Sequence, residues 1–281
     1  MSTFERPEIK ITIPSSIKLY EDLAYADAHP RQNLHLMRSS QNSDKLPLII
    51  YIHGGAWNHG NKDLQLPHLL PYAISGDFVT VAINYRFSQH KPWPAQINDC
   101  KAALDFLIHN SDKYGIDSSR ISIWGSSSGA HLALHLANDP SVTSVLAYCP
   151  PSHFRPLLDI LEYEEHALKT HILPNSPVIQ LIGKDPVDFP ELLLDASPLE
   201  HLKKSSCPIL LAHGTKDEPV PYEQSLAFMD KAKELKVNCK LITLDGYGHK
   251  FDNSILDNEV KNFFYYHLHD KGFSPENLTI T

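Results

Sequence analysis

The chain has 281 residues, of which 42% are hydrophobic and 21% charged, and its formal net charge is −8. Because the charge is acidic and no long lysine or arginine run occurs, nucleic acid and anionic membrane surfaces are poor partner candidates. Residues 1–7 lack the apolar stretch of a signal peptide, and no apolar run approaches membrane-spanning length. The sequence therefore predicts a cytoplasmic protein without membrane insertion.

Apolar runs separated by turn residues predict an alternation of strands and helices. In chain order, extended segments are predicted at 9–13, 17–25 and 33–37, strands at 47–52 and 78–83, and a helix at 94–114. Further strands are predicted at 120–124, 142–148, 208–212 and 239–244, and further helices at 128–138, 222–235 and 255–270. This alternation predicts an α/β fold, in which residues 1–281 form one domain around a mainly parallel sheet with helices on both faces.

Residues 151–206 break the alternation. They contain the apolar segment 157–161, then the acidic residues Glu162, Glu164 and Glu165, and several prolines. Because open α/β sheets bind ligands at the carboxyl ends of their strands, we expect this insertion to form a small cap there.

The pentapeptide Gly125-Ser126-Ser127-Ser128-Gly129 stands where a predicted strand gives way to a predicted helix. Gly-x-Ser-x-Gly at such a junction is typical of a nucleophile elbow, a strained turn that lifts the hydroxyl of its central serine above the sheet. The two glycines keep side chains out of the tight contact between strand and helix. The pattern indicates that Ser127 is a nucleophile rather than part of an ordinary Ser/Gly-rich turn.

A serine nucleophile needs a base, and the base needs an orienting carboxylate. In the hydrolase arrangement the serine comes first along the chain, then the acid, then the histidine. Two loops at the ends of late strands fit this order, since one carries Asp217 and the other His249. Both loops would lie at the same edge of the sheet as Ser127. The residues alone leave other candidates open, namely Glu218 and Asp245 for the acid and His213 for the base.

The segment His53-Gly54-Gly55-Ala56-Trp57 directly follows the strand at 47–52. An ester under attack develops a negatively charged oxygen, which preorganised N–H groups must stabilise. Glycines let the backbone approach that oxygen closely, as in the HGGG-type motif of esterases. We expect Gly55 and Ala56 to donate from this loop and Ser128 to donate from the elbow.

Together these motifs resemble an α/β-hydrolase of the esterase and lipase group, most of all the branch related to feruloyl and acetylxylan esterases, the BD-FAE-like hydrolases. Further landmarks of that group are similar to residues 84–86, 93–99, 195–199 and 217–221. The resemblance spans nearly the whole chain from about Tyr20 and implies Ser127 as nucleophile, Asp217 as acid and His249 as base. Three positions depart from the usual pattern: Ala56 replaces the third glycine, Ser128 an alanine, and Lys250 the glycine after the histidine.

Several polar residues have the spacing of metal ligands without completing a site. His131 and His135 stand four residues apart, as in zinc-binding helices, but Leu132 occupies the position of the expected glutamate, which favours packed histidines. Asp185 and Asp188 in the insertion could bind a cation, but exposure to solvent in a loop is the simpler explanation for two such residues. The cysteines form no CxxC pair, which indicates free thiols: Cys100, Cys149, Cys207 and Cys239. We expect neither a metal nor a cofactor.

The combined prediction is a serine carboxylesterase that cleaves small to medium esters, feruloyl or acetyl esters among them, through an acyl-enzyme. Trp57 and Tyr247 are weak candidates for the substrate pocket, because aromatic residues more often belong to a core. Two alternatives remain, an arylformamidase, whose HGG-x-Trp loop is similar, and a non-catalytic binding protein on a hydrolase scaffold. The oligomeric state stays undetermined.

Overall fold

Nine strands form one sheet in the residues that the computed structural model describes, 11–156 and 176–281. They are β1 (Ile17–Ala24), β2 (Asn33–Ser39), β3 (Leu46–Ile52), β4 (Val79–Ile83), β5 (Ile116–Ser126), β6 (Ser144–Tyr148), β7 (Ile209–Gly214), β8 (Cys239–Leu244) and β9 (Leu278–Ile280). Their spatial order is β1-β2-β4-β3-β5-β6-β7-β8-β9. The pairs β1–β2 and β2–β4 are antiparallel, and every pair from β4 to β9 is parallel. Because parallel strands end at one edge, the loops after β3, β5, β7 and β8 meet there.

The helices follow the strands in chain order. They are α1 (Leu66–Ser75), α2 (Ala95–His109), α3 (Ser111–Tyr114), α4 (Ser128–Leu136), α5 (Pro177–Ile182), α6 (Pro190–Asp195), α7 (Pro198–His201), α8 (Glu223–Leu235) and α9 (Asp257–His269). Two 3-10 turns, Lys62–Gln65 and Asn253–Leu256, lead into α1 and α9. Within the described part of the chain, no helix has the length and apolar character needed to cross a membrane.

Helices cover both faces of the sheet. One core contains Ile97 of α2, Leu132 of α4 and Phe228 of α8, and the other contains Leu69 of α1 and Phe263 of α9. All residues of β3, β4, β6 and β7 are buried, as expected for strands between two helical layers. The predicted α/β fold with a mainly parallel central sheet is confirmed.

Outside the insertion, three of the differences from the sequence prediction concern whole elements. No helix is predicted at α1, whose pattern Pro67 and Pro71 interrupt, yet the helix forms because it buries Leu69 and Ala73 against the sheet. The helix predicted over 94–114 divides at Asn110 into α2 and α3. The short strand β9 is also unpredicted, since three residues carry no periodicity and only its pairing with β8 defines it.

The insertion at 151–206 is described only at 151–156 and 176–206. The second part contains α5, α6 and α7, which are short and each begin with a proline. Ala196, just after α6, and Leu199 of α7 pack into the core that contains α4. The apolar segment 157–161 and the acidic residues Glu162, Glu164 and Glu165 lie outside the described residues. The cap therefore stays a prediction.

Candidate active site

Ser127 stands at the junction between β5 and α4 with φ 52° and ψ −122°. A positive φ is unusual for a residue with a side chain and marks local strain. Glycines make the turn fit, because a Cβ on Gly125 would lie 2.3 Å from the Gly129 carbonyl oxygen and one on Gly129 would lie 2.0 Å from that of Ile52. The N–H of Ser127 donates to the Tyr148 carbonyl at 2.8 Å, which ties the turn to β6. The geometry of this turn thus depends on the two glycines of the pentapeptide 125–129.

His249 and Asp217 lie beside Ser127 in a continuous chain of contacts. The Nε2 of His249 is 3.0 Å from the Ser127 Oγ, and its Nδ1 is 2.7 Å from Oδ2 of Asp217. A carboxylate only accepts, so Nδ1 carries the proton and Nε2 is left to accept from the serine hydroxyl. The arrangement can take a proton from Ser127 while the carboxylate stabilises the charge that forms on the imidazole.

Asp217 is buried and has other partners besides His249. Its Oδ1 accepts from the N–H of Val220 at 2.8 Å, and Nε2 of His213 lies 3.1 Å from its Oδ2. Burial by itself raises the pKa of the Asp217 carboxyl, but the contacts with His213, His249 and the Val220 N–H outweigh burial and hold that pKa well below its usual range. Asp217 is therefore a carboxylate at neutral pH.

The alternatives left open by the sequence have other surroundings. Glu218 is exposed, and Asp245 accepts from the Thr215 hydroxyl at 3.0 Å. His213 is fully buried, with Nδ1 2.7 Å from the Ser225 hydroxyl and Nε2 2.9 Å from the Val220 carbonyl. The structure brings Asp217 and His249, rather than these residues, into line with Ser127.

The loop after β3 folds back on itself at Gly55. The Gly55 carbonyl accepts from the N–H groups of Asn58 and His59, both at 3.0 Å. Gly55, Ala56 and Trp57 all have positive φ, at 125°, 49° and 57°. Because the peptide is planar and trans, the N–H of Ala56 points opposite to the Gly55 carbonyl. Within the described residues, the N–H groups of Gly55 and Ala56 have no assigned acceptor.

Ser128 is the first residue of α4, and the N–H of a first helical residue has no partner inside its helix. Its location directly after the nucleophile suits the donor role predicted from the sequence. The helix start also adds a favourable dipole for a negative charge at this point.

A cavity of about 1090 Å³ is bordered by both Ser127 and His249. Its apolar lining includes Ala56, Trp57, Phe154, Val178, Val220 and Phe251. Trp57 also donates from Nε1 to Nδ1 of His131 at 3.2 Å. Tyr247, the second aromatic candidate, is not among the described residues that line this cavity, whereas Lys250 and Phe251 are.

The paired histidines of α4 are held by one carbonyl group. The Nε2 atoms of His131 and His135 lie 2.6 and 3.1 Å from the Ala196 oxygen. Burial lowers the pKa of His131 to about 3, so this ring is neutral and donates from Nε2. Among the described residues, Cys149, His213 and Asp217 place potential metal-ligand atoms within 4.8 Å of one another. The Asp217 member of this group is the carboxylate that contacts His249.

Sequence analysis missed Arg31 and the role of Tyr85. Arg31 lies between β1 and β2, and its guanidinium contacts His53. His53 begins the segment 53–57 after β3, which we call the oxyanion loop after its predicted role. The Tyr85 hydroxyl donates to the His53 carbonyl at 3.0 Å and lies 3.3 Å from the Ser128 hydroxyl. Tyr85 belongs to the landmark at 84–86, but no local pattern marks Arg31.

Comparison with known proteins gives matches to esterases. The BD-FAE family model matches residues 34–232. Esterase LipC of Mycobacterium tuberculosis is 28% identical over 232 residues, covering 79% of this chain and 58% of LipC. The probable carboxylic ester hydrolase LipM of the same organism is 30% identical over 228 residues, covering 76% of this chain and 52% of LipM. This chain thus spans only a little over half the length of these relatives.

Solved structures share the fold over nearly the whole chain. A truncated form of a carbohydrate esterase from gut microbiota has a TM-score of 0.76 at 26% identity, covering 90% of this chain and 96% of its own. Esterase B from Lactobacillus rhamnosis, bound to an inhibitor, has a TM-score of 0.77 at 21% identity, covering 93% and 90%. At that identity the second match concerns the fold alone.

Proposed function

Since the chain belongs to the BD-FAE family, we propose that it is a serine carboxylesterase that works through an acyl-enzyme. The observation that carries this proposal is the line of contacts from Ser127 through His249 to Asp217, at 3.0 and 2.7 Å. The names of the relatives LipC and LipM, an esterase and a probable ester hydrolase, support an ester as the substrate.

In the first half of the proposed reaction, Ser127 Oγ bonds to the ester carbonyl carbon while its proton passes to Nε2 of His249. The carbonyl oxygen becomes anionic and accepts from the N–H groups of Gly55, Ala56 and Ser128. Asp217 stabilises the imidazolium through Nδ1. The bond from carbon to the alcohol oxygen then breaks, and the alcohol leaves with the proton that His249 held.

In the second half, water attacks the acyl group on Ser127. His249 takes a proton from the water, and the same N–H groups hold the second oxyanion. The bond to Ser127 Oγ breaks, the serine recovers its proton from His249, and the carboxylic acid is released. All proton transfers in this reaction use atoms of the substrate, water, Ser127 and His249.

We propose small to medium esters as substrates, because the cavity of about 1090 Å³ is lined mainly by apolar side chains and adjoins both Ser127 and His249. The carbohydrate esterase with the shared fold supports esters of carbohydrates as substrates, and we propose acetyl or feruloyl groups as the acyl part. Hydrolysis of p-nitrophenyl acetate, an acetylated sugar, a feruloyl ester and N-formylkynurenine should be compared. Faster cleavage of N-formylkynurenine than of every ester would favour an arylformamidase instead.

The direct test of the mechanism is Ser127→Ala. Ester hydrolysis should fall by on the order of 10⁶ in kcat, as in other serine triads, because no other group can form the acyl-enzyme. A fluorophosphonate should label the wild type at Ser127 and leave the variant unlabelled. Ser126→Ala is the matched control and should keep most of its activity, since its side chain lies outside the line of contacts. An unlabelled wild type would point to a binding protein, and a dead Ser126→Ala with an active Ser127→Ala would move the nucleophile.

A further inference from the structure

We propose that Arg31 is a positioning residue for the oxyanion loop. Its guanidinium fixes the tautomer of His53, and His53 in turn holds the peptide group that presents the N–H of Gly55. This inference rests on the proposed esterase function, because it assigns Arg31 a role in stabilising the oxyanion of that reaction.

Arg31 reaches the loop from the connection between β1 and β2. Its Nη2 lies 3.2 Å from Nε2 of His53, 3.3 Å from the Gly60 carbonyl oxygen and 3.2 Å from Oδ1 of Asn84. Its Nε donates to the Tyr85 carbonyl at 2.8 Å. The guanidinium also stacks over the Phe87 ring, 3.6 Å from the ring centroid. These contacts hold the guanidinium plane in one orientation beside His53.

The contacts of His53 define its protonation at both ring nitrogens. A guanidinium has only donors, so the Nε2 that faces Arg31 must be an acceptor. The other nitrogen, Nδ1, lies 2.7 Å from the Gly54 carbonyl oxygen, which only accepts, so Nδ1 must carry the proton. Burial, with a smaller contribution from the nearby Arg31 charge, lowers the pKa of His53 to about 3, so the ring is neutral. The two ends of the ring therefore require the same tautomer.

That tautomer holds one peptide group of the oxyanion loop. The Nδ1–H of His53 donates to the Gly54 carbonyl, and the N–H of Gly55 belongs to the same planar peptide. In a trans peptide the carbonyl and the N–H point in opposite directions. Fixing the Gly54 carbonyl on the His53 side therefore fixes the Gly55 N–H on the other side, as a donor for the oxyanion.

The neighbouring peptides leave little freedom for another arrangement. Tyr85 stacks on the His53 ring at 4.5 Å and donates to the His53 carbonyl at 3.0 Å. Gly60 packs so closely that a Cβ there would lie 2.5 Å from Nδ1 of His53. Gly54 lies beside Ser127, since a Cβ added at Gly54 would lie 3.3 Å from the Cβ of Ser127. A change in the His53 tautomer is thus transmitted to the reacting centre over two residues.

The first experiment compares Arg31→Met with Arg31→Lys on p-nitrophenyl acetate. The methionine variant should lose about ten- to a hundredfold in kcat, less than the full loss of an oxyanion donor, while KM changes by less than about threefold. Binding of a trifluoromethyl ketone, which forms an oxyanion on the enzyme, should weaken by a similar factor. Arg31→Lys should restore part of kcat, because an ammonium also only donates.

Arg38→Met is the matched control for a loss of stability. Arg38 also donates from its guanidinium to backbone carbonyls, those of Tyr114, Asn42 and Asp44, and it makes no contact with the oxyanion loop. Both methionine variants should lower the melting temperature, but only Arg31→Met should lower kcat with KM nearly unchanged. An equal kcat in the two variants would overturn the proposal.

A double-mutant cycle with His53→Asn tests the route through the tautomer. The asparagine Nδ2 can donate to the Gly54 carbonyl without any tautomer to select, so Arg31→Met should cost much less kcat in this background than in the wild type. Equal losses in both backgrounds would show that Arg31 acts by another route and would reject the inference. A wild type that hydrolyses no ester would instead reject the proposed function.

Discussion

At the scale of single residues, the candidate site depends on groups that close packing and hydrogen bonds hold in one conformation. Ser127 has a φ of 52°, and the neighbouring Gly125 and Gly129 pack so tightly that a Cβ on either would overlap the backbone. Asp217 is held by three hydrogen-bonding neighbours, one of which is His249. Such preorganisation means that little needs to move when charge develops, which is the main source of electrostatic catalysis.

Replacement of the orienting carboxylate should be costly. We expect Asp217→Asn to lower kcat/KM by on the order of 10⁴, because an asparagine amide favours the wrong tautomer of His249. Glu218→Gln, the adjacent and exposed carboxylate, is the control and should change kcat/KM by less than about tenfold. Steady-state hydrolysis of p-nitrophenyl acetate measures both. Similar losses in the two variants would show that the acid has been misassigned.

The same carboxylate should contribute to acid stability. Its folded pKa lies below the unfolded value of 3.8, so folding favours the ionised form. This contribution is complete above the unfolded pKa and is lost as the pH falls through the folded one, progressively below about pH 5. Urea unfolding of the wild type and Asp217→Asn should therefore differ by a constant free energy from pH 7 to 5 and converge below it. A difference that grows on acidification would contradict the lowered pKa.

At the scale of elements, the site is assembled from the ends of four strands. The oxyanion loop follows β3, the elbow joins β5 to α4, Asp217 follows β7 and His249 follows β8. β3 and β5 are hydrogen-bonded neighbours in parallel register, with Ile52 opposite Gly125, and this register brings Gly54 against Ser127. The close contact between β3 and α4 therefore determines the distance from Ser127 to the proposed oxyanion donors of the loop after β3.

A side chain at Gly129 should separate these elements. We expect Gly129→Ala to lower the free energy of unfolding by about 2 kcal/mol or more, because its Cβ would lie 2.0 Å from the Ile52 carbonyl oxygen and force backbone to move. Gly248→Ala is the control, since its nearest neighbour, the Lys216 carbonyl oxygen, would lie at 3.5 Å, an ordinary contact. Denaturant unfolding compares them. Equal stability of the two variants would mean that the elbow relaxes without cost.

At the scale of the whole molecule, charge and exposed apolar side chains bear on which esters the proposed active site would take. The net charge is −8, and the large exposed apolar residues of the described chain come from four segments: Ile74, Val187 with Phe189, Leu226, and Phe273 with Leu278. A lipase that works at an oil surface usually presents a contiguous apolar patch. The cavity lining, in contrast, is mainly apolar.

Short, water-soluble esters should accordingly be the better substrates. Rates on p-nitrophenyl esters should be highest at short acyl chains and fall as the chain lengthens. Rates on tributyrin should rise smoothly with concentration and show no jump when an emulsion forms. A maximum at long chains, or a sharp increase at the interface, would contradict this expectation.

Local sequence was sufficient for most elements and for the location of the candidate site. Buried strands are short runs rich in apolar residues and bounded by turn residues. The strand predicted from such a run at 239–244 has the same bounds as β8. Because parallel strands end at one edge, the order of motifs along the chain also placed Ser127, Asp217 and His249 at the same edge of the sheet. The glycines of the elbow and the oxyanion loop could be recognised from the sequence, because a residue without a side chain is needed where two backbone segments approach so closely.

Tertiary structure decided what depends on residues far apart in the chain. Ser127 and His249 are 122 positions apart, and Arg31 and His53 are 22 positions apart. No periodicity distinguishes Asp217 from Glu218, or Arg31 from any other loop arginine, because these pairings form only when the sheet brings the loops together. The helix α1 likewise forms against its prolines because burial against β4 and α9 outweighs local preference. Propensity and spacing act over a few residues, whereas packing and hydrogen-bond geometry act between neighbours in space.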